Sequence, residues 1–391
     1  MNFIYTFVAL LLVSIIQAQR CDVIHGVVKQ VDQQISTFSR PRHGNISIPV
    51  IFHIVYRNPD QNIPDAQILA QLDILNSIYD PTSIPNNTSI PVEFRNAIDI
   101  PKIHFCLAQE DPDGNYSNGI IRKQTTINNI GCRKQGAIYY IMSENLGGSE
   151  IWNPSHYLNI FIGEREDCPL AEAIFPDLAT NKTDGIVINP KYFGPNNKSR
   201  PFHKGYTLVH EIGHYLGLKH LTESRNPNDC NSDDQINDTP PQSIQYFGCP
   251  SHPQISCGTN SMFMNFMSLV DDECMRFFTK GQVAKMNNVI GVHRPYFLFY
   301  SCDKTDINPS NDFIILSEKN YWIIQDKFHR DWSAELTLFD LFGRLVWHGK
   351  NLGSEFKLIS SGNADFSSAV YYLSIKQDKK NTVIKLPILN Y

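Results

Sequence analysis

Apolar residues along the chain fall into two textures that meet near residue 300. Residues 47–56 read Ser-Ile-Pro-Val-Ile-Phe-His-Ile-Val-Tyr, a nearly unbroken apolar run that predicts a buried strand. Over 64–79 the apolar residues Ile68, Leu69, Leu72, Leu75 and Ile78 recur at helical spacing and predict an amphipathic helix. Further strands are expected at 102–107, 157–163 and 185–189, and helices at about 204–216 and 279–290. A loop-rich, cysteine-rich tract separates those two helices. Strand and helix mixed in this order predict an α/β (α+β) domain over 45–298. Beyond residue 305 the chain turns to short alternating segments at 313–316, 336–339, 344–348, 369–375 and 382–386. Gly343, Gly349 and Asn351 lie between them. That pattern predicts a small β-sandwich over 305–391.

The chain opens differently. An apolar run from Ile4 to Ile16, followed by Gln17-Ala18, is too short to cross a bilayer, which needs about 20 apolar residues. It predicts a signal peptide over 1–18, with a short polar pro-segment over 19–44. No other stretch is apolar enough to be an integral membrane segment. Net charge is −5, and no Lys/Arg-rich tract is present, so neither nucleic acid nor an anionic membrane surface is an expected partner. With 42% hydrophobic and 19% charged residues the chain can build a sizeable core. Nine cysteines in an exported chain predict disulfides, and the odd total leaves a thiol free or paired between chains. Cys230, Cys249, Cys257 and Cys274 cluster within one tract. Metal ligation by these four is disfavoured because no C-x-x-C pair occurs.

The chemistry concentrates in His210-Glu-Ile-Gly-His214-Tyr-Leu-Gly217-Leu-Lys-His220. Residues i and i+4 share a helix face, so His210 and His214 can reach one ion. Glu211 sits about 100° around the helix from His210, close to the metal yet outside its coordination shell, where it can take a proton from water. Zinc accepts such nitrogen ligands and, in catalytic sites, keeps one position open beside three protein ligands. Had the helix continued, His220 would lie too far along its axis. Gly217 permits a left-handed turn that ends the helix and folds His220 back.

The full motif is that of metzincins. More narrowly, the chain resembles the pappalysin family (M43) of zinc metalloproteases. The likeness runs from about Ile48 to Val292, through Ile48–Tyr56, Asn62-Ile-Pro-Asp, Phe105-Cys-Leu-Ala-Gln-Glu-Asp-Pro-Asp-Gly, the zinc motif, Asp238-Thr-Pro and Asn265-Phe-Met-Ser-Leu-Val-Asp-Asp-Glu-Cys-Met. This resemblance implies a two-lobed metzincin-like catalytic domain with the substrate cleft between lobes and a Met-turn at Met267. It implies disulfides Cys230–Cys257 and Cys249–Cys274. It also implies a calcium ion in the same tract, with Asp234 and Thr239 matching the pattern and Asp238 nearby; an ordinary solvated acidic loop is the alternative. Glu273 matches a position lining the S1′ pocket, where a carboxylate would favour Arg or Lys side chains, or else it is solvated surface. The family usually carries Tyr two residues after the Met-turn methionine; here that residue is Leu269, with Tyr215 a neighbouring tyrosine that could substitute. Cys21, at the start of the pro-segment, offers a thiolate to cap the zinc as a zymogen switch, or a disulfide partner. The C-terminal segment resembles the sorting domain of the bacterial type IX secretion system through Ile307-Asn-Pro-Ser-Asn-Asp-Phe, 338–346 and Val370-Tyr-Tyr-Leu-Ser-Ile.

The expected protein is thus a bacterial, secreted or cell-surface zinc metalloendopeptidase. It would hydrolyse protein or peptide substrates and meet secretion machinery through its C-terminal domain. Zn2+ is its expected cofactor, with Ca2+ as a second ion. The alternative is a zinc-bearing, catalytically weak binding or adhesion protein.

Overall fold

The structure is a computed structural model. It describes residues 46–386 apart from 82–88, 114, 116, 135–138, 197–198, 225, 299, 301, 303–312, 318–320, 327–331, 341–344, 354, 360–370 and 378–379. The expected signal peptide and pro-segment, with Cys21, and the stretch from Ile307 to Asp312 lie outside the described residues. In chain order the first elements are β1 (Ile46–Tyr56), α1 (Asp65–Tyr79), β2 (Ile98–Asp99), β3 (Ile103–Leu107), β4 (Ile120–Gln124), β5 (Leu158–Gly163), β6 (Ala171–Ala173) and β7 (Ile186–Ile188). Then come α2 (Tyr206–Tyr215), β8 (Ile255–Ser256), β9 (Thr259–Asn260), β10 (Phe278–Thr279) and α3 (Lys280–His293).

β1 organises a six-stranded sheet of order β3-β1-β5-β7-β6, with β4 also paired to β1. Its first half runs parallel to β3 and its second half parallel to β4, while β5 lies parallel along the other side. β7 extends the sheet in parallel, and β6 closes the edge antiparallel. The unbroken apolar run of β1 follows from this placement, since a strand covered on both faces has no solvated side. Ile48, Val50, Phe52 and Ile54 join Ile68, Leu75 and Tyr79 of α1 and Leu208, Val209 and Ile212 of α2 in one core. On the other face Val55, Phe161 and Val187 meet Ile130, Ile141 and Met142. Two strands of this sheet were not predicted. β6 is three residues long and β4 pairs on one side only, so neither carries a periodic pattern long enough to read.

The one imidazole inside β1 is neutralised by burial. His53 is pushed down to about 3 and stacks on Phe161 at 4.3 Å. Asn159 Oδ1 can only accept, so His53 Nε2 donates to it across 3.1 Å, and Nδ1 accepts from Ser149 Oγ at 2.8 Å. The same amide oxygen accepts Trp152 N–H. This network fastens the 149–157 segment to the sheet.

Four disulfides pair eight cysteines: Cys106–Cys302, Cys132–Cys168, Cys230–Cys257 and Cys249–Cys274. The last two cross-link the loop-rich tract between α2 and α3, where little regular structure forms. Each bridge of this kind contributes about 2–4 kcal/mol by restricting the unfolded chain.

C-terminal to these elements, β11 (Phe313–Ser317), β12 (Tyr321–Asp326) and β15 (Glu355–Ile359) form one antiparallel sheet. β13 (Trp332–Asp340), β14 (Leu345–Gly353), β16 (Tyr371–Gln377) and β17 (Lys380–Leu386) form a second. Ile324 joins Trp332, Leu336, Leu338, Leu373 and Ile375 in one apolar cluster.

Behind α2 lies a buried ion pair. Arg294 Nη2 is 2.6 Å from Asp184 Oδ1, and its guanidinium carbon sits 3.8 Å from the ring centre of Tyr215. Burial pushes the Asp184 carboxyl up to about 6 even beside this cation. Removing one member would leave the other charge unmatched in the interior. Arg294→Ala is therefore expected to lose about 3–5 kcal/mol of stability. Denaturant unfolding measures this, and a loss below about 1 kcal/mol would contradict the pair's role.

Candidate active site

α2 carries the motif, and glycine ends it. Gly217 adopts φ +84°, its N–H donates to His214 O at 2.8 Å, and Leu218 N–H donates to Gly213 O at 2.9 Å. These two bonds form a Schellman turn, which consumes the last carbonyls of the helix and reverses the chain. A side chain at Gly217 meets a second obstacle, because a Cβ there would lie 2.7 Å from Val289 Cγ2 on α3. The reversal returns His220 to His210 and His214.

The Nε2 atoms of the three histidines form a nearly equilateral triangle. The sides are 3.0 Å (His210–His214), 3.1 Å (His210–His220) and 3.1 Å (His214–His220). All three rings are buried. Their Nδ1 atoms settle what the inner nitrogens are. His210 Nδ1 donates to Phe266 O at 2.7 Å, and His214 Nδ1 donates to Leu218 O at 2.7 Å. His220 Nδ1 lies 3.0 Å from Glu223 Oε1. Carbonyls only accept, so His210 and His214 carry their protons on Nδ1, and the carboxylate beside His220 Nδ1 favours the same tautomer there; three Nε2 lone pairs then point at one another. That arrangement is repulsive unless a cation lies at the focus. Nitrogens about 2.0–2.1 Å from one tetrahedral ion stand roughly 3.3 Å apart, near the observed spacing. The residues present fit a zinc ion held by three imidazoles.

Glu211, the next residue after His210, is fully buried on the same helix. The turn around Met267 packs against α2 beside the histidines. Met267 is buried, and a Cβ at Gly213 would overlap its sulfur, so a glycine inside α2 is a packing requirement. Met267 N–H donates to Asn265 Oδ1 at 2.9 Å. Asn265 and Gln282 exchange two amide hydrogen bonds of 2.8 and 3.0 Å, and Gln282 caps α3 together with Thr279. α3 thus fixes the turn that supplies the Phe266 carbonyl to His210. On the upper side the Phe175 ring, just past the edge strand β6, lies 5.5 Å from His214, centre to centre.

The other singled-out residues divide. Glu273 is half exposed and already engaged: Lys204 Nζ donates to Oε2 at 2.6 Å and His203 Nε2 lies 3.2 Å from Oε1. The hydrogen bond and charge of Lys204, with the nearby charges of His203 and Arg200, hold this carboxyl below its usual range against the opposing effect of burial. Leu269 is buried and offers no hydroxyl. Tyr215 does not make good that loss, since its ring is committed to Arg294. Asp234 is buried; its Oδ1 accepts Thr239 Oγ1–H at 2.7 Å, Oδ2 has no hydrogen-bond partner, and burial pushes its carboxyl up to about 7. Asp238 serves a different element, accepting from Thr279 Oγ1 and Gly281 N–H at the start of α3.

Sequence reasoning missed Gly213, Asn265, Gln282, Phe175 and Glu223. A glycine in a helix interior costs about 0.5–1 kcal/mol relative to alanine, so Gly213 was a readable flag. The others act through contacts distant in sequence or through loop geometry. The turn predicts its own test. Gly217→Ala should lose about 1–3 kcal/mol from strain at positive φ, before any cost of the Val289 contact. It should also weaken metal binding, as read by chelator competition; a variant unchanged in both would contradict the role given to this turn.

Comparison with known proteins agrees with this geometry. Residues 143–291 match the model of the peptidase M43 family, pregnancy-associated plasma protein-A. An extracellular metalloprotease of Arthroderma otae is 28% identical over 247 residues, which is 62% of this chain and 76% of the relative. Human pappalysin-1 is 35% identical over 153 residues, 34% of this chain and 9% of that one. Among solved structures, mature mirolysin of Tannerella forsythia in complex with a cleaved peptide superposes with a TM-score of 0.60. It is 37% identical, over 66% of this chain and 97% of that one. A neighbour so similar over nearly its whole length, with the family match across the histidine motif, shows that the chain belongs to the pappalysin (M43) family of metallopeptidases and is a metalloendopeptidase.

Proposed function

We propose that the metal is zinc, held by His210, His214 and His220, and that Glu211 is the general base for hydrolysis of internal peptide bonds. The observation that carries this reading is the convergence of three Nε2 lone pairs within 3.0–3.1 Å of one another. Zinc, when bound, supplies a Lewis acid that polarises the scissile carbonyl and lowers the pKa of water towards 7. Glu211 takes a proton from the attacking water and hands it to the leaving amine nitrogen. Among the described strands β6 pairs only with β7, and its other edge would offer backbone groups to an extended substrate adding as a further strand.

The same reading extends outward. Eight of the nine cysteines are paired, which leaves Cys21 as the thiol available to cap the metal before processing. Export through the segment 1–18 accords with disulfides, and relatives are named extracellular. The two C-terminal sheets are read as a β-sandwich that addresses the protein to its secretion machinery. Asp234 and Thr239 would hold calcium, a role supported by a buried carboxylate with one oxygen unengaged. Glu273, paired with Lys204, is a poor floor for a basic P1′ side chain.

Two measurements test this. Glu211→Gln should lower kcat on casein-derived peptides by about 10²–10⁴-fold while one zinc per chain remains bound. If that variant turns over substrate like the parent, Glu211 is not the base. Calcium should stabilise in a pH-dependent way. The Asp234 carboxyl is raised in the calcium-free fold from 3.8 to about 7, so the stability it contributes there, complete below about pH 4, is lost as pH rises through 7. The rise in Tm on adding calcium should therefore be larger at pH 8 than at pH 5.5 and vanish in Asp234→Asn; an equal rise at both pH values would exclude this carboxylate.

A further inference from the structure

The three histidines are oriented by unlike partners. His210 and His214 stand on α2 and are fixed by backbone carbonyls at 2.7 Å. His220 stands beyond the turn at Gly217, on a segment without regular structure, and faces a carboxylate. Glu223 Oε1 lies 3.0 Å from its Nδ1 and accepts its backbone N–H at 3.3 Å. Both contacts go to one residue three positions earlier, so the side chain folds back onto His220.

We propose that Glu223 is a positioning residue for the metal, which fixes the ring of His220 and supplies the anionic charge that makes it a strong ligand. The inference rests on reading the three histidines as ligands. The loop-borne imidazole is the least constrained of the three, so it gains most from a partner that holds its tautomer. The carboxylate lies beside the ring nitrogen rather than on its N–H axis. Its charge, more than a linear hydrogen bond, is therefore what the ring feels. Glu223 keeps about a quarter of its side chain exposed while the His220 ring is nearly buried, so the charge remains partly hydrated yet close to a dry ligand. An outer carboxylate on a ligating histidine raises its basicity, and losing such a partner typically costs 10–100-fold in metal affinity.

The test uses the full chain freed of metal, with Zn2+ affinity measured by competition against a chromogenic chelator. Glu223→Gln and Glu223→Ala should both bind Zn2+ about 10–100-fold more weakly than the parent. The neutral amide should lose nearly as much as alanine. Far-UV circular dichroism and the unfolding midpoint of the metal-free proteins should not change. His220→Ala is the control. If both Glu223 variants bind within about twofold of the parent while His220→Ala is weakened, the inference is overturned and the ligand assignment stands. If His220→Ala binds Zn2+ as tightly as the parent, the ligand assignment falls and the inference with it.

Discussion

Three imidazole lone pairs directed at one buried point repel one another unless a cation lies between them, and the surrounding structure is organised to hold them there. Two of the rings are fixed by the regularity of a helix. The third depends on a chain reversal at φ +84°, a conformation that glycine adopts without strain. The Nδ1 protons of His210 and His214 are directed outward by carbonyls and that of His220 is favoured by the Glu223 carboxylate beside it, which leaves each Nε2 a donor of electrons inward. The cost of that convergence without metal gives the site its affinity for one.

Support for this arrangement comes from distant parts of the chain. The carbonyl that orients His210 belongs to the turn around Met267, which is tied through Asn265 and Gln282 to the first turn of α3. The helix carrying the motif packs against the sheet through Leu208, Val209 and Ile212, and its last residue lies under the buried Arg294. Two disulfides cross-link the loops that run between these parts. A tract with little regular structure thereby becomes a rigid floor for the chemistry.

Much of this was legible in the chain. β1, α1, β5, α2 and α3 follow from apolar runs long enough to show their period, and the observed α2 begins and ends within two residues of the predicted span. The motif's histidines were legible because helical spacing and a helix-ending glycine are local features. What stayed hidden depends on contacts distant in sequence. β6 is an edge only because β7 and β5 order the sheet. Gly213 is required by a methionine 54 residues away. Asp238 reads as one more acidic residue in an acidic loop, yet it caps a helix that starts 42 residues later. Tyr215 lies beside His214 in sequence, and burial against Arg294 gives its ring a different partner.

Anomalous diffraction at the zinc edge from crystals of the purified protein addresses the central claim most directly. The account predicts a single strong peak within bonding distance, about 2.0–2.1 Å, of the Nε2 atoms of His210, His214 and His220 together. A peak bonded to His210 and His214 but not to His220, or no transition metal in protein that cleaves peptides, would contradict it.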